Sequence, residues 1–308
     1  MSLLSVPLVG DSVARAFSKL VSVAPKPRRE FSDLVLDTST VAVPTRHGMV
    51  GCTVYRPPAH PVGQAPVHVN LHGGGFVIGY PEQDDPWCRY LATHAGVVVV
   101  NVDYGTAPRH RFPVAVEQAY DVVLWASASE RDWDGSRLCA GGQSAGGCLA
   151  AAVARLALEN GGPRIALQVL HYAVLDLVTP LRDKPAPPGR PAFPAWLGEV
   201  FDTAYIPDPA GRRHRLASPA WGGNADGIGG IAPALVITAE RDRLRDEGAA
   251  YARALDAAGS LVEYRDVPGV DHGYDIRDES AAVTREMYEF MAGHVVRATR
   301  TEPPSGAS

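Results

Sequence analysis

The chain has 308 residues, 46% of them hydrophobic and 20% charged, with 26 prolines and 31 glycines. That apolar content supports a sizeable core and excludes general disorder, while the length suits one large α/β domain or two modest ones. A formal charge of −5 with no basic run argues against nucleic acid or an anionic membrane as the main partner.

In chain order, the first 40 residues show no clear strand rhythm. The apolar patch Leu3 to Val9 has no positive residue before it, and Asp11 follows closely. A secretory signal is therefore disfavoured, and a cytoplasmic protein with reduced thiols is expected. No apolar run approaches the roughly 20 residues of a membrane helix, so stable membrane insertion is not expected. Pro25-Lys26-Pro27-Arg28-Arg29 then interrupts two candidate helices.

Val67 to His72 reads as a strand, and the β-branched run Val97 to Val102 as a strand buried on both faces. Leu138 to Gly141, Leu167 to Leu175, Leu235 to Thr238 and Leu261 to Val267 complete the set. Helix-length segments lie at about 85–95, 114–129, 145–159, 246–258 and 280–297. Such β-α-β-α alternation predicts an α/β fold with a mostly parallel central sheet and helices on both faces. On the last helix Val283, Met287, Phe290 and Met291 share one side, which core packing or a contact between copies would explain equally.

Residues 178–222 break the alternation. They carry Pro180, Pro185, Pro187, Pro188, Pro191 and Pro194, then aromatics at Trp196, Phe201 and Tyr205. A long insert of that kind is often a lid, the competing reading being a surface loop. Cys52, Cys88, Cys139 and Cys148 are too few and too scattered for a disulfide scaffold or a zinc site, so no metal is expected.

The most informative segment is Gly142-Gln143-Ser144-Ala145-Gly146-Gly147, set between a strand and a helix. In that context G-x-S-x-G is a nucleophile elbow: Gly142 and Gly146 let strand and helix approach, and the serine projects above the sheet edge. Elsewhere the same string would be a plain glycine turn. His72-Gly73-Gly74-Gly75-Phe76 follows another strand and exposes backbone N–H groups able to stabilise an oxyanion. A phosphate loop is the alternative, but neither a P-loop lysine nor the dinucleotide spacing is present. A serine needs a base. Asp271-His272-Gly273-Tyr274 follows the last strand, while Thr238-Ala239-Glu240-Arg241-Asp242 leaves an earlier one, so Glu240 or Asp242 would orient His272. The order serine, acid, histidine is that of an α/β-hydrolase triad, with each residue at a strand end.

Together these segments resemble the hormone-sensitive-lipase-like family of α/β-hydrolase esterases, across roughly residues 45 to 297. The Asp242-Arg243-Leu244-Arg245-Asp246-Glu247 segment and the stretch from Asp103-Tyr104 to Phe112-Pro113 add to the likeness. The resemblance implies Ser144 as nucleophile, His272 as general base and then acid, and Asp242 rather than Glu240 as the orienting acid. It implies an oxyanion hole from the amides of Gly74, Gly75 and Ala145, with His72 and Gly73 shaping that loop. It also implies an α/β-hydrolase fold with a small helical cap. Residues 1–40 would be an N-terminal cap segment, 41–300 the catalytic domain with the cap insertion at 178–222, and 301–308 a flexible tail. Phe76, Trp196, Phe201 and Tyr205 would line the acyl pocket, unless they only pack.

The expected activity is hydrolysis of short- to medium-chain carboxylic esters, a small-molecule substrate handled without metal or organic cofactor. An amide or formamide hydrolase or deacetylase using the same triad is one alternative, and a non-catalytic binding protein on the same fold another. Relatives often pair through an edge strand or a late helix, which allows a homodimer. Two departures stand out. Gln143 replaces the acid usual before the serine, implying a weaker negative field, and Arg243 replaces a common proline, implying a looser acid loop.

Overall fold

The computed structural model describes residues 3–23, 31–58, 62–186, 193–277 and 279–300. The Pro25–Arg29 break, Pro187, Pro188, Pro191 and the tail expected at 301–308 lie outside the described residues.

An eight-stranded sheet runs in the order β1-β2-β4-β3-β5-β6-β7-β8. Six strands were anticipated: β3 (Pro66–Leu71), β4 (Val98–Asp103), β5 (Asp134–Gln143), β6 (Ile165–His171), β7 (Ala234–Ala239) and β8 (Leu261–Val267). The other two are an addition to the expected set. β1 (Asp37–Thr45) and β2 (Gly48–Arg56) form a hairpin, and β2 joins β4 antiparallel. Every other pairing, from β4–β3 to β7–β8, is parallel. β6 is shorter than expected because the backbone swings to φ 36° at Tyr172, ending the strand at His171.

The helices are α1 (Pro7–Val23), α2 (Asp85–Ala95), α3 (Val114–Ala126), α4 (Ala145–Asn160), α5 (Ala195–Tyr205), α6 (Arg245–Ala257) and α7 (Ala281–Ala298). α3, α4 and α6 bury one face of the sheet, α2 and α7 the other. β4 shows why: Val98, Val100 and Val102 belong to the first core, Val99 to the second. Strand alternation sends successive side chains to opposite faces, so a sheet covered twice needs an unbroken apolar run. On α7, Met287 and Met291 are fully buried in the second core, and Val283 and Phe290 pack against it. Core packing accounts for that stripe.

α5 lies within the 178–222 insert, and α1 packs against it. Contact is close because Gly10 has no side chain; a Cβ there would sit 3.0 Å from Thr203. None of the helices among the described residues is long and apolar enough to cross a membrane. All four cysteines are buried and free.

Candidate active site

The site is assembled from the carboxyl ends of four parallel strands. β5 runs into α4 through Ser144, whose backbone sits at φ 55° and ψ −118°. Such a conformation costs on the order of 1–3 kcal/mol and persists only where the surroundings over-determine it. Here the Ser144 amide donates to His171 O (2.9 Å), and its carbonyl accepts from Val174 N (3.1 Å) and Cys148 N (3.3 Å). The flanking glycines are dictated by β3. A Cβ on Gly142 would lie 2.2 Å from Leu71 O, and one on Gly146 only 1.8 Å from the same oxygen. Any other residue would push β3 away from the elbow.

His272, on the loop after β8, places Nε2 3.0 Å from Ser144 Oγ and Nδ1 2.7 Å from Asp242 Oδ2. Asp242, on the loop after β7, also accepts from Leu244 N at 3.0 Å, which fixes its carboxylate. With Nδ1–H committed to Asp242, Nε2 is left to accept the serine proton. Burial pulls the His272 pKa down, but the Asp242 carboxylate outweighs it and holds the ring above the usual 6.5. Glu240, the competing acid, instead accepts from Gly269 N at 2.6 Å on the surface.

After β3, the glycine loop turns through three consecutive residues of positive φ: Gly74 (116°), Gly75 (60°) and Phe76 (62°). The Gly74 carbonyl accepts from Val77 N and Ile78 N, closing the turn. Among the described residues, the Gly74 and Gly75 amides donate to no backbone carbonyl. Ala145 opens α4, where helix N–H groups have no partner within the helix and the dipole favours negative charge. His72 is buried beneath the loop. Its Nδ1 lies 2.6 Å from Gly73 O, its ring stacks on Tyr104 at 4.2 Å, and Tyr104 donates its hydroxyl to His72 O. Burial pushes its pKa down to about 4, so it is a neutral brace. Gly73 rests against the elbow, a Cβ there lying 3.3 Å from Gln143 O.

A cavity of about 50 Å³ opens onto Ser144 and His272. Phe76 and Phe201 line it, and Phe201 packs so closely on Gly75 that a Cβ there would be 2.0 Å from the ring. Two expectations are corrected. Trp196 is 48% exposed on the outer side of α5, and Tyr205 is buried behind Phe76, stacked on it at 4.0 Å; neither lines the cavity. Residues not singled out from sequence take their place: Val174, Leu177, Leu181, Phe193 and Leu244. The short stretch after β6 and the insert carry most of these, and neither shows a motif.

The two departures also read differently in three dimensions. The Gln143 amide donates to the buried Asp84, and its Oε1 accepts the Tyr172 hydroxyl at 2.6 Å. Asp84 thus places a carboxyl beneath the elbow from another part of the chain. Arg243 donates through Nη1 to Leu181 O and Lys184 O, at 3.3 and 3.1 Å. The acid loop is tied to the insert rather than loosened.

A family model described as alpha/beta hydrolase fold matches residues 68–276. LipN of Mycobacterium tuberculosis, a carboxylic ester hydrolase, is 34% identical over 277 residues, 85% of this chain and 72% of its own. The chain belongs to the hormone-sensitive-lipase-like family of α/β-hydrolase esterases. An ethyl acetate hydrolase of Pseudomonas putida, another relative, is 36% identical over 241 residues, 77% of this chain and 75% of its own. Among solved structures, an esterase of Pyrobaculum calidifontis superposes with a TM-score of 0.78 at 33% identity, covering 97% of this chain and 94% of its own. As a member of this family the protein is a carboxylic ester hydrolase.

Proposed function

We propose that the protein hydrolyses short- to medium-chain carboxylic esters through an acyl-enzyme formed on Ser144. The observation that carries this reading is the unbroken chain from Asp242 Oδ2 through His272 to Ser144 Oγ, at 2.7 and 3.0 Å. Ser144 Oγ attacks the ester carbonyl carbon as His272 Nε2 takes its proton. The carbonyl π electrons move to oxygen, and the Gly74, Gly75 and Ala145 amides stabilise that oxyanion. Collapse expels the alcohol, which receives the proton from His272. Water then repeats the sequence and releases the acid, leaving Ser144 free.

The acyl preference rests on the smallness of the cavity, about 50 Å³, walled by Phe76, Phe193 and Phe201. Ethyl acetate in the name of one relative points the same way. α1 and the insert act as the cap over it. The test is Ser144→Ala on p-nitrophenyl acetate and butyrate, with a wild-type profile up to dodecanoate. Turnover should collapse by on the order of 10⁶; unchanged turnover sinks the assignment, and a maximum at dodecanoate sinks the chain-length preference.

A further inference from the structure

Among the described residues, six charged side chains line the cavity: Asp176, Lys184, Asp202, Asp242, Arg243 and Asp271. Five are committed to partners in the protein. Asp176 Oδ1 accepts from Val178 N and Thr179 N. Lys184 donates to Asp176 O and to the buried Glu247. Arg243 donates to Leu181 O and Lys184 O, Asp242 holds His272, and Asp271 Oδ1 accepts from His272 N.

Asp202 differs. Its side chain keeps only 13% of its surface exposed and is ion-paired with Arg212, yet among the described residues no donor hydrogen-bonds to its carboxylate. The Arg212 guanidinium stands 3.9 Å away, beyond hydrogen-bond reach, and turns its Nε to Ile206 O. Gly198, Phe201 and Asp202 fall on one face of α5, the face that walls the cavity. Burial raises the Asp202 carboxyl to about 6 despite Arg212 and Lys184 nearby, the sign of a group its own protein solvates poorly.

We infer that Asp202 is a specificity-determining residue, selecting esters that bring a hydrogen-bond donor, a hydroxyl or an ammonium, to the α5 wall of the cavity. The inference rests on the ester-hydrolase reading of this site. A purely aliphatic substrate filling the cavity displaces water from Asp202 and leaves its acceptor oxygens unmet. A substrate donor replaces that water. Sites built around a buried polar group reject analogues lacking the matching group by roughly 10⁴–10⁵. Residual exposure and Arg212 reduce the effect here, and a preference of about tenfold or more is expected.

The experiment compares kcat/KM for two matched pairs, by acid release. Ethyl butanoate against ethyl 3-hydroxybutanoate probes the acyl side, and butyl acetate against 4-hydroxybutyl acetate the alcohol side. The wild type should favour the hydroxylated member of one pair at least about tenfold. Asp202→Leu should abolish that preference by raising KM for the hydroxylated ester, while Asp202→Asn, which keeps an acceptor oxygen, retains part of it. Wild-type ratios near one on both pairs overturn the inference and leave ester hydrolysis standing. So does an unchanged ratio in either variant, folding being checked by circular dichroism; if Asp202→Leu does not fold, Asp202→Asn decides. If no ester turns over and an organophosphonate does not label Ser144, it is the ester-hydrolase reading that falls, and this inference with it.

Discussion

Gly146→Ala is the sharpest perturbation of the elbow, because the group it meets is backbone. The added methyl would start 1.8 Å from Leu71 O, 2.5 Å from Leu71 C and 2.7 Å from His72 O. Ordinary contact is about 3.5 Å, so β3 and α4 must part by about 1.7 Å. That movement shifts two parts of the site at once, since β3 ends in the His72–Gly75 loop and α4 begins at the nucleophile. A misplacement of about 1 Å costs roughly 10² in rate, so kcat/KM on p-nitrophenyl butyrate should fall at least that far. Overpacking against an unyielding neighbour costs about 3 kcal/mol or more, which lowers Tm by on the order of 5–10 °C. The control is Gly161→Ala at the other end of α4, where φ is +58° and nothing lies within 4 Å of the new atom. It should lose only about 1 kcal/mol to backbone strain and keep full activity. Gly146→Ala within threefold of wild-type kcat/KM would refute the argument that β3 dictates this glycine.

In the proposed mechanism His272 must be neutral to accept the serine proton, and Asp242 holds its pKa above 6.5. kcat/KM should therefore fall as pH drops through a midpoint above that value; a midpoint below about 6 would contradict the buried pairing. Asp242→Asn removes the charge that opposes burial, so the acid limb should move to lower pH while turnover drops by on the order of 10³–10⁴. Lys184→Met leaves Glu247 buried without its cation and should cost about 3–5 kcal/mol at alkaline pH. Burial already raises the Glu247 carboxyl to about 7, so protonation removes the unpaired charge and the Tm deficit should shrink towards about pH 5.5. A deficit that widens on acidification would refute that account. Gln143→Asp sets a second carboxylate against Asp84 and should destabilise by about 2 kcal/mol or more; adding Asp84→Asn should restore Tm, and its failure to do so would show that the two do not interact.

The parts legible in the sequence are those that depend on neighbours in the chain. The run from Val97 to Val102 announces a doubly covered strand because each alternate valine faces a different core. The elbow is legible because its glycines and serine fall within five consecutive positions. β1 and β2 are hidden for the opposite reason. β1 buries a single residue, Val43, and leaves the rest exposed or half-buried, so its apolar signal is weak. Its hairpin with β2 is local, but what holds that hairpin in the sheet is β4, with Gly51 opposite Asp103 and Tyr55 opposite Val99, a partner far along the chain. The cavity wall is opaque on the same grounds. Trp196 and Phe201 look equivalent as aromatics in one segment, but a half-turn of α5 sends one to solvent and the other onto Gly75.

Gln143 and Arg243 carry that lesson to the site itself. Set against a family pattern, each is a missing feature, an acid lost beside the nucleophile and a stiff proline lost beside the orienting acid. In the folded chain each is half of a pair whose other half is remote. Asp84, 59 positions from Gln143, brings a carboxyl to the elbow from the start of α2. Leu181 and Lys184, about 60 positions from Arg243, offer the carbonyls that hold the acid loop. With a donor and an acceptor on one side chain, Gln143 bridges Asp84 to the Tyr172 hydroxyl, whose single proton is shared with Asp275 Oδ1 at 2.5 Å. Tyr172 in turn sets its ring edge-on to His272 at 4.9 Å, so the side chain beside Ser144 reaches His272 through one tyrosine.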